Sequence, residues 1–284
     1  TTGMLIPPSN ILIIYAIASG GVSIAALFVA GYLPGLLLAL SLMLVCAGYA
    51  KVKGYPTEKR LPAAVVINKV LAALPSLFLI FIIIGGIIGG IFTPTEAGVI
   101  AVLYSLLLAV VVYKEVKVDQ LPAILLKAGE TTAIVMLLIG TSSAMSWILS
   151  YENIPQTITD FLLMLSDNPI LILLIINLTL LAVGAFMDMT PAVLIFTPIF
   201  LPIAVALGMS PLHFGIMIVL NLSIGLCSPP VGSVLFVSCA VAKTSIGNII
   251  RPLMPLYIAM FFVLMAVTYI PAISEFLPKF FGLY

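Results

Sequence analysis

Long apolar runs, separated by short polar segments, occupy most of this 284-residue chain. An α-helix of about 17–25 predominantly apolar residues is long enough to cross the hydrocarbon core of a bilayer. Runs of this kind are Leu27–Ala50, Val70–Phe92, Thr95–Tyr113, Thr131–Ser150, Pro169–Met187 and Leu253–Ile273. The pattern therefore predicts an all-α, polytopic membrane protein.

The composition agrees with this prediction and excludes other classes. Hydrophobic residues make up 63% of the chain and charged residues only 7%, whereas soluble domains carry about 25% charged residues. The formal net charge is +1, so no basic surface for nucleic acid is indicated. The sequence has neither an HExxH nor a GxSxG motif. Neither a metal-dependent nor a serine hydrolase is therefore predicted, and we expect a protein that is not an enzyme.

Basic residues indicate how the chain is oriented. They cluster in the loop 51–69, in the loop 114–130, and at Lys243 and Arg251. Because Lys and Arg are enriched in cytoplasmic loops, all three regions are predicted to lie inside. Counting spans between them places the segments near 19–23, 93–96 and 151–168 outside, together with the C-terminus.

One pair of apolar segments is predicted to enter the membrane without crossing it. Pro169–Met187 and Pro191–Leu207 are joined by the short segment Asp188–Thr190. If both crossed, Asp188 would lie in a cytoplasmic turn, yet no Lys or Arg occurs between Ala128 and Ala242. The number of crossings has the same parity in either case. We therefore favour a re-entrant hairpin that enters from outside and turns at Asp188.

A short internal repeat relates the N-terminus to a later segment. The stretch "GMLIPPS" at Gly3–Ser9 matches "GLCSPPV" at Gly225–Val231, at an offset of 222 residues, and the same offset relates Ala18 to Ala240, Ser23 to Ser245 and Ile24 to Ile246. From the basic loops, the two copies run in opposite directions through the membrane. Inverted repeats with broken helices at matching positions are typical of secondary transporters and indicate their binding sites.

The paired prolines supply oxygen atoms for a site. Proline has no N–H, so the carbonyls of Gly3, Met4, Gly225 and Leu226 lose their usual helical donors. These carbonyls, with the hydroxyls of Ser9 and Ser228 and the amide of Asn10, are oxygen ligands of the kind that Na⁺ requires. Helix N-termini beyond each break favour an anionic group. The alternative is that the prolines are packing kinks whose carbonyls are satisfied by serine or water.

Two acidic residues compete for a functional role. An acid inside the bilayer is costly and is a functional candidate by default, which favours Asp188; an ordinary N-cap of the helix near Pro191 is the alternative. "TPTE" at Thr93–Glu96 has the spacing of a capping box, so we expect Glu96 to be a capping residue. Proton coupling through both acids remains an alternative to sodium.

Four blocks, in this order along the chain, resemble a known family. They are "GMLIPPSNILIIYA", "GGIFTPTEAGVIAVLY", "GAFMDMTPAVLIFTPIFLPIA" and "HFGIMIVLNLSIGLCSPPVG". The chain resembles the large membrane subunit of tripartite ATP-independent periplasmic (TRAP) transporters. This resemblance implies a bacterial inner-membrane, elevator-type secondary transporter driven by a Na⁺ gradient. It also implies a small membrane subunit and a periplasmic binding protein that delivers organic acid anions such as C4-dicarboxylates, sugar acids or sialic acid.

The resemblance also implies an arrangement of domains. Residues 1–21 would be the broken helix of the first repeat, 22–168 mostly supporting spans, 169–242 the hairpin and broken helix of the second repeat, and 243–284 a cytoplasmic loop and the last span. The chain has no initiating Met and resembles the later part of a longer protein, so the first half-site is incomplete. An uncoupled channel or an assembly scaffold is the competing interpretation.

By motif, the resemblance assigns a candidate sodium and substrate site. The cation-site residues are Gly3, Pro7, Ser9, Asp188, Thr190, Gly225, Ser228, Pro230 and Gly232. The substrate-binding residues are Ser9, Asn10 and Ser228.

Overall fold

The computed structural model describes residues 1–55, 62–165, 168–229 and 232–284. Within these ranges the regular structure is helical. The α-helices are α1 (Thr2–Leu5), α2 (Asn10–Ala18), α3 (Ile24–Ala30), α4 (Tyr32–Lys53), α5 (Ala63–Ile88), α6 (Pro94–Leu106), α7 (Leu121–Tyr151), α8 (Ile154–Leu165), α9 (Pro169–Phe186), α10 (Met189–Ala206), α11 (Pro211–Gly225), α12 (Ser233–Ala242), α13 (Ile246–Tyr269) and α14 (Ala272–Phe280). A π-helical turn at Leu107–Val112 extends α6.

Seven described helical segments are long and apolar enough to cross a membrane. They are Ile24–Lys53, Ala63–Ile88, Pro94–Val112, Val118–Leu149, Pro169–Phe186, Met189–Ala206 and Gly247–Tyr269. The six runs predicted from the sequence each fall largely within one of these segments, and the seventh segment is the second arm of the predicted hairpin. The prediction of a polytopic helical membrane protein is confirmed at this level.

Contacts divide the chain into two compact units, and residues 50–134 form the smaller one. Its main feature is the pair α5 and α6, joined by a tight turn. The Tyr104 hydroxyl donates to the Pro75 carbonyl at 2.8 Å. The first turn of α6 carries the predicted capping box, because Thr93 Oγ1 accepts from the Glu96 N–H and Glu96 Oε2 accepts from the Thr93 N–H at 2.7 Å. The interpretation of Glu96 as a capping residue is confirmed.

The larger unit, residues 1–49 and 135–284, is built around α11. Every side chain of α11 from Leu212 onwards is buried, because α1, α2, α3, α9, α10, α13 and α14 all pack against it. Gly215 allows the closest of these contacts: a Cβ atom there would lie 2.3 Å from the Tyr15 ring. A predominantly apolar helix that is enclosed by other helices is typical of a buried core helix.

The two copies of the internal repeat have the same local structure. In the first, α1 ends at Leu5 and α2 begins at Asn10; in the second, α11 ends at Gly225 and α12 begins at Ser233. The helix that follows each copy has a serine at its N-cap, Ser23 before α3 and Ser245 before α13, and begins at an isoleucine. Each copy is thus a helix, a proline-containing break, a second helix of nine or ten residues, and a third helix with serine at its N-cap position.

α9 and α10 form the hairpin expected between residues 169 and 207. Each arm is an 18-residue helix, and only Met187 and Asp188 separate them. α9 packs along α11, while α10 packs against both α11 and α2. The hairpin is therefore attached to both broken helices of the unit.

Candidate functional site at a hairpin tip and a broken helix

The second break begins where α11 ends at Gly225. The chain then turns, with the Cys227 N–H donating to the Ile224 carbonyl at 3.1 Å and the Ser228 N–H donating to the Gly225 carbonyl at 2.8 Å. Pro229 cannot continue this pattern because it has no N–H. The backbone resumes as a helix at Ser233.

The hairpin tip lies directly against this break. A Cβ atom on Gly225 would lie 2.7 Å from the Cα of Gly184, so the backbones of α9 and α11 touch there. The Gly232 N–H donates to the Ala185 carbonyl at 3.1 Å. The two sides of the break are therefore both joined to the last turn of α9, immediately before the tip.

Backbone oxygens converge within the break. A Cβ atom on Gly232 would lie 2.6 Å from the Ser228 carbonyl oxygen and 2.8 Å from that of Leu226. Two carbonyl oxygens therefore face the space that a side chain at Gly232 would fill. Oxygens of unwound backbone are the ligands that coordinate Na⁺ in transporters with broken helices, so this cradle has the chemistry of a cation site.

Asp188 lies at the tip with an exposed side chain. It occupies the N-cap position of α10, but its carboxylate makes no capping hydrogen bond. The alternative in which Asp188 caps this helix is therefore wrong. Its neighbours contact the end of α11: Gly184 touches Gly225, and the Ser223 hydroxyl lies 3.9 Å from the Met189 sulfur. The tip thus carries a negative charge that nothing among the described residues pairs. Thr190, in the first turn of α10, is partly exposed.

One hydrogen bond relates the break to a position along α13. The Tyr257 hydroxyl donates to the Cys227 carbonyl at 2.5 Å. Tyr257 is the twelfth of the 24 residues of α13, which is itself long enough to cross a membrane. Near the other end of α13, the Tyr269 hydroxyl donates to the Ile170 carbonyl at 2.8 Å. The break, and with it the hairpin tip, therefore lies level with the middle of α13.

The first break has a different set of contacts. Ser9 is buried, and its hydroxyl donates to the Met4 carbonyl at 2.5 Å. The backbone here packs on small residues, because a Cβ atom on Gly31 would collide with the Leu5 carbonyl oxygen. Among the assigned residues, Pro7 is buried while Gly3 and Asn10 are exposed. α1 packs against α11, so the first break adjoins the same central helix.

Two of the four carbonyls predicted to be free are in fact occupied. The Met4 carbonyl accepts from Ser9, and the Gly225 carbonyl accepts from the Ser228 N–H. The Ser228 hydroxyl is also engaged, since it donates to the Ile224 carbonyl at 2.9 Å. The prediction fails for these carbonyls because a chain that leaves a helix finds local donors as it turns. Within the described ranges, the carbonyls of Gly3 and Leu226 have no such donor outside their helices. Pro230 lies outside the described residues.

Two further observations limit what the site can bind. In the part of the chain that the structure describes, no three His, Cys, Asp or Glu side chains are grouped to hold a metal ion. A cation here would therefore rely on backbone and hydroxyl oxygens with at most one carboxylate. An apolar cavity of about 680 Å³ adjoins Ser228 and Tyr257, but both hydroxyls are already engaged. It therefore does not suit a charged acid.

Several residues of the site were missed from the sequence. Gly184, Ala185 and Tyr257 form the contacts between the break, the hairpin and α13, and Gly31 packs on the first break. Gly184 alone had a visible signal, since a glycine near the end of a long apolar helix allows close backbone approach. The other partners depend on packing between segments that are distant in sequence.

The chain matches a known protein family along nearly its whole length. Residues 1–273 match the model of the tripartite ATP-independent periplasmic transporter, DctM component. This match covers both broken helices, the hairpin and all the described membrane-length helices.

Related proteins extend the comparison. The chain is 54% identical over 280 residues to the uncharacterized protein YgiK of Salmonella typhimurium, an alignment that covers 99% of this chain and 64% of YgiK. It is 41% identical over 283 residues to the C4-dicarboxylate TRAP transporter large permease protein DctM of Pseudomonas aeruginosa, with 100% and 66% covered. It is 39% identical over 279 residues to the sialic acid TRAP transporter large permease protein SiaM of Vibrio cholerae, with 98% and 65% covered. The chain thus spans about two-thirds of the length of these relatives.

Proposed function

Because this chain belongs to the large membrane subunits of tripartite ATP-independent periplasmic transporters, we propose that it forms the membrane part of a sodium-coupled importer of an organic acid anion. The transporter lies in the bacterial inner membrane. It works with a small membrane subunit and receives its substrate from a periplasmic binding protein. The observation that carries the coupling is the contact between the hairpin tip and the break of α11.

Sodium coupling is supported by the chemistry of that contact. The carbonyl oxygens of Leu226 and Ser228 converge on Gly232, and the unpaired carboxylate of Asp188 lies at the adjoining tip. A site of mostly neutral oxygens with one nearby negative charge suits a monovalent cation, whereas divalent ions usually take several carboxylates. A bound cation would hold the tip against the break. The free-energy cost of moving the hairpin and the broken helix as one body would then be lower.

An anionic substrate is supported by a helix end that lacks a side-chain cap. α2 begins at the first break, and the Ser9 side chain does not cap it. The N–H groups of an uncapped first turn, together with the helix dipole, favour a carboxylate. Of the substrate-binding residues predicted from the sequence, Asn10 is exposed in the first turn of α2 and remains assigned to the substrate. The hydroxyls of Ser9 and Ser228 already donate to the Met4 and Ile224 carbonyls, so these two residues would contribute through their position at the breaks.

The mechanism that fits this architecture is an elevator motion. In this proposal α9 and α10 are a re-entrant hairpin, and the hairpin and the broken helices move as one body and carry the substrate across the membrane. Support comes from Tyr257, because its bond to Cys227 puts the break and the tip level with the middle of α13. Non-helical backbone at that depth is tolerated only where protein buries it or where it lines a cavity.

The substrate belongs to the organic acids. The related permeases just described carry C4-dicarboxylate and sialic acid in their names, and both are small carboxylates. The partner binding protein can narrow this choice, because it meets the substrate first. A thermal-shift screen of that binding protein against C4-dicarboxylates, sugar acids and sialic acid would identify the acid to use in transport assays.

The coupling is tested by uptake into proteoliposomes that contain the full-length subunit, its small partner and the loaded binding protein. We expect accumulation against a substrate gradient only when Na⁺ is higher outside. Uptake that stops at equilibration, with or without Na⁺, would identify an uncoupled channel and contradict the proposal. Uptake that a pH gradient drives in the absence of Na⁺ would instead favour protons carried by Asp188 and Glu96.

A further inference from the structure

A second, smaller cavity lies away from the hairpin tip, between α2, α7 and α10. Its volume is about 190 Å³. Its walls are the C-terminal end of α2, one face of α7 and the middle of α10. The lining residues are Ile17, Ala18, Gly20, Ile139, Ser142, Ser143, Ser146, Leu194 and Pro198. No charged side chain lines it.

The serines that line this cavity differ in their hydrogen bonds. Four other hydroxyls on α7 bond to the preceding turn of the helix, as Thr141 does to the Leu137 carbonyl at 2.9 Å; the others are Thr131, Thr132 and Ser143. Ser142 and Ser146 lie one turn apart on one face, and neither hydroxyl has a partner among the described residues. A serine in an apolar helix usually satisfies its hydroxyl by bonding back to the helix. These two are therefore available to a ligand in the cavity.

The wall formed by α10 contributes carbonyl oxygens. Pro198 has no N–H to donate to the Leu194 carbonyl, and Pro202 has none for the Pro198 carbonyl. Leu194 and Pro198 both line the cavity. The spacing of the two prolines thus leaves two carbonyls, one turn apart on α10, without their usual helical donors, and both belong to residues that line the cavity with the serine pair.

The wall formed by α2 has the same polarity. α2 ends at Ala18, whose carbonyl has no donor among the described residues, and both Ile17 and Ala18 line the cavity. The C-terminal end of a helix carries partial negative charge and favours cations. Hydroxyls, freed carbonyls and a helix C-terminus together make a neutral, oxygen-rich site, which suits Na⁺ and disfavours an anion. The cavity has room for about six water molecules, so the ion would keep part of its hydration shell.

The cavity lies between the tip and the far end of the hairpin. Pro198 is ten residues beyond Asp188, or about 15 Å of helix rise, and Ser146 is five residues before the end of α7, or about 7.5 Å. The far end is the one that the basic loops predict to face outward. We propose that this cavity is an entry site, at which external Na⁺ binds through Ser142 and Ser146 before it reaches the hairpin tip.

This inference rests on the sodium coupling proposed above, and a labelling assay separates the two. In a variant of the full-length subunit without its native cysteines, Ile17→Cys places a thiol at the cavity wall while the backbone and serine oxygens remain. Its reaction with a small methanethiosulfonate is followed in proteoliposomes without substrate or binding protein. We expect Na⁺, but not K⁺ or choline, to slow the reaction. With Ser142→Ala and Ser146→Ala added, the same protection should need at least about tenfold more Na⁺.

Thr141→Ala is the matched control, because its hydroxyl lies on the same helix but bonds to Leu137 and does not line the cavity. It should leave the Na⁺ dependence of labelling within about twofold of the parent. In uptake assays, the double serine variant should raise the Na⁺ concentration for half-maximal uptake severalfold with little change in maximal rate. Alanine is the best helix former, so the variant is expected to fold, and thermal unfolding checks this.

The outcomes distinguish the two proposals. Protection by Na⁺ that depends on the serine pair, combined with uptake that ignores Na⁺, would support the entry site and refute coupling. Sodium-driven uptake with labelling that ignores Na⁺, or with protection unchanged by the serine substitutions, would overturn the entry site and leave coupling intact. A thiol at residue 17 that does not react even without Na⁺ would also overturn it, because the cavity would then be closed to the outside.

Discussion

The Tyr257 hydroxyl, in the middle of α13, donates at 2.5 Å to the carbonyl of Cys227, in the turn that follows α11. This carbonyl belongs to the turn in which α11 loses its regular bonds. The bond therefore holds the turn at the level of the hairpin tip, whose Ala185 carbonyl accepts from Gly232 on the other side of the break. A helix distant in sequence thus fixes the geometry of the proposed cation site.

Tyr257→Phe removes this bond and keeps the ring. We expect a loss of about 1 kcal/mol in stability, together with a higher Na⁺ concentration for half-maximal uptake because the turn is less well held. Tyr269→Phe is the matched control, since it removes the bond to Ile170 near the other end of α13. It should lower the free energy of unfolding by a similar amount without changing the Na⁺ concentration for half-maximal uptake. Equal Na⁺ dependence in the two variants would show that the Tyr257 bond has no role in the site.

Gly225→Ala tests the contact between the hairpin and the broken helix. The added methyl group would lie 2.7 Å from Cα and 2.8 Å from the carbonyl carbon of Gly184, and backbone atoms cannot move aside as a flexible side chain can. We expect a loss of about 1–3 kcal/mol and a strong decrease in uptake as the tip is displaced. Gly247→Ala, in the first turn of α13 with open space around its Cβ position, should be nearly neutral. Thermal unfolding in detergent and uptake in proteoliposomes give both values, and a neutral Gly225→Ala would contradict the close packing.

The features that sequence reasoning predicted are those with local causes. The paired prolines break both helices because a missing N–H acts within one turn. The Ser23–Ser245 relation is an identity at a fixed offset, and both residues occupy N-cap positions, where Ser23 Oγ accepts from the Ala26 N–H and the Ser245 side chain makes no capping bond. The capping box of Glu96 was read from four adjacent residues. Each of these depends on neighbours along the chain, so one sequence is sufficient.

The features that were missed depend on distant partners. The Met4 carbonyl was expected to be free, but Ser9 reaches it once the chain turns. Nothing along the chain pairs Tyr257 with Cys227, or Gly184 with Gly225, because those contacts follow from how α9, α11 and α13 pack. Most residues of the site could therefore be predicted from the sequence. Which of their oxygens accept hydrogen bonds from other parts of the chain could not.

Asp188→Asn and Glu96→Gln each remove a negative charge with little change in side-chain size, so the two variants compare the roles of the two acids. Asp188 is exposed at the tip and makes no cap, so its charge is free to act on a cation, and the variant should raise the half-maximal Na⁺ concentration while remaining folded. Glu96→Gln keeps the reciprocal bond of the capping box, so it should alter stability by less than about 0.5 kcal/mol and leave Na⁺ dependence unchanged. A large shift for Glu96→Gln, or none for Asp188→Asn, would mean that the functional acid is the other residue. If both are silent, coordination depends on backbone and hydroxyl oxygens.

The last short helix, α14, is attached to the start of α11 by an ionised carboxylate. Glu275 is buried, with the Ser210 hydroxyl donating to Oε1 at 2.5 Å and Lys279 Nζ donating to Oε2 at 2.7 Å. Burial alone would raise the pKa of Glu275, but the hydrogen bonds from Lys279 and Ser210 outweigh it and hold this pKa below its ordinary value. A lowered pKa means that the folded state favours the ionised form.

The stability from Glu275 is therefore fully present above the ordinary pKa of glutamate, about 4.3, and is lost as the pH falls through the lowered pKa. We expect wild type to unfold at a higher temperature than Glu275→Gln near neutral pH, and this difference to shrink as the solution is acidified below about pH 4. Glu130→Gln is the control, because its carboxylate pairs with Lys127 on an exposed surface and such pairs contribute little. Unfolding temperatures of the three proteins across this range provide the measurement. A difference that stays constant down to the lowest pH would show that Glu275 stabilises α14 by packing and not by its charge.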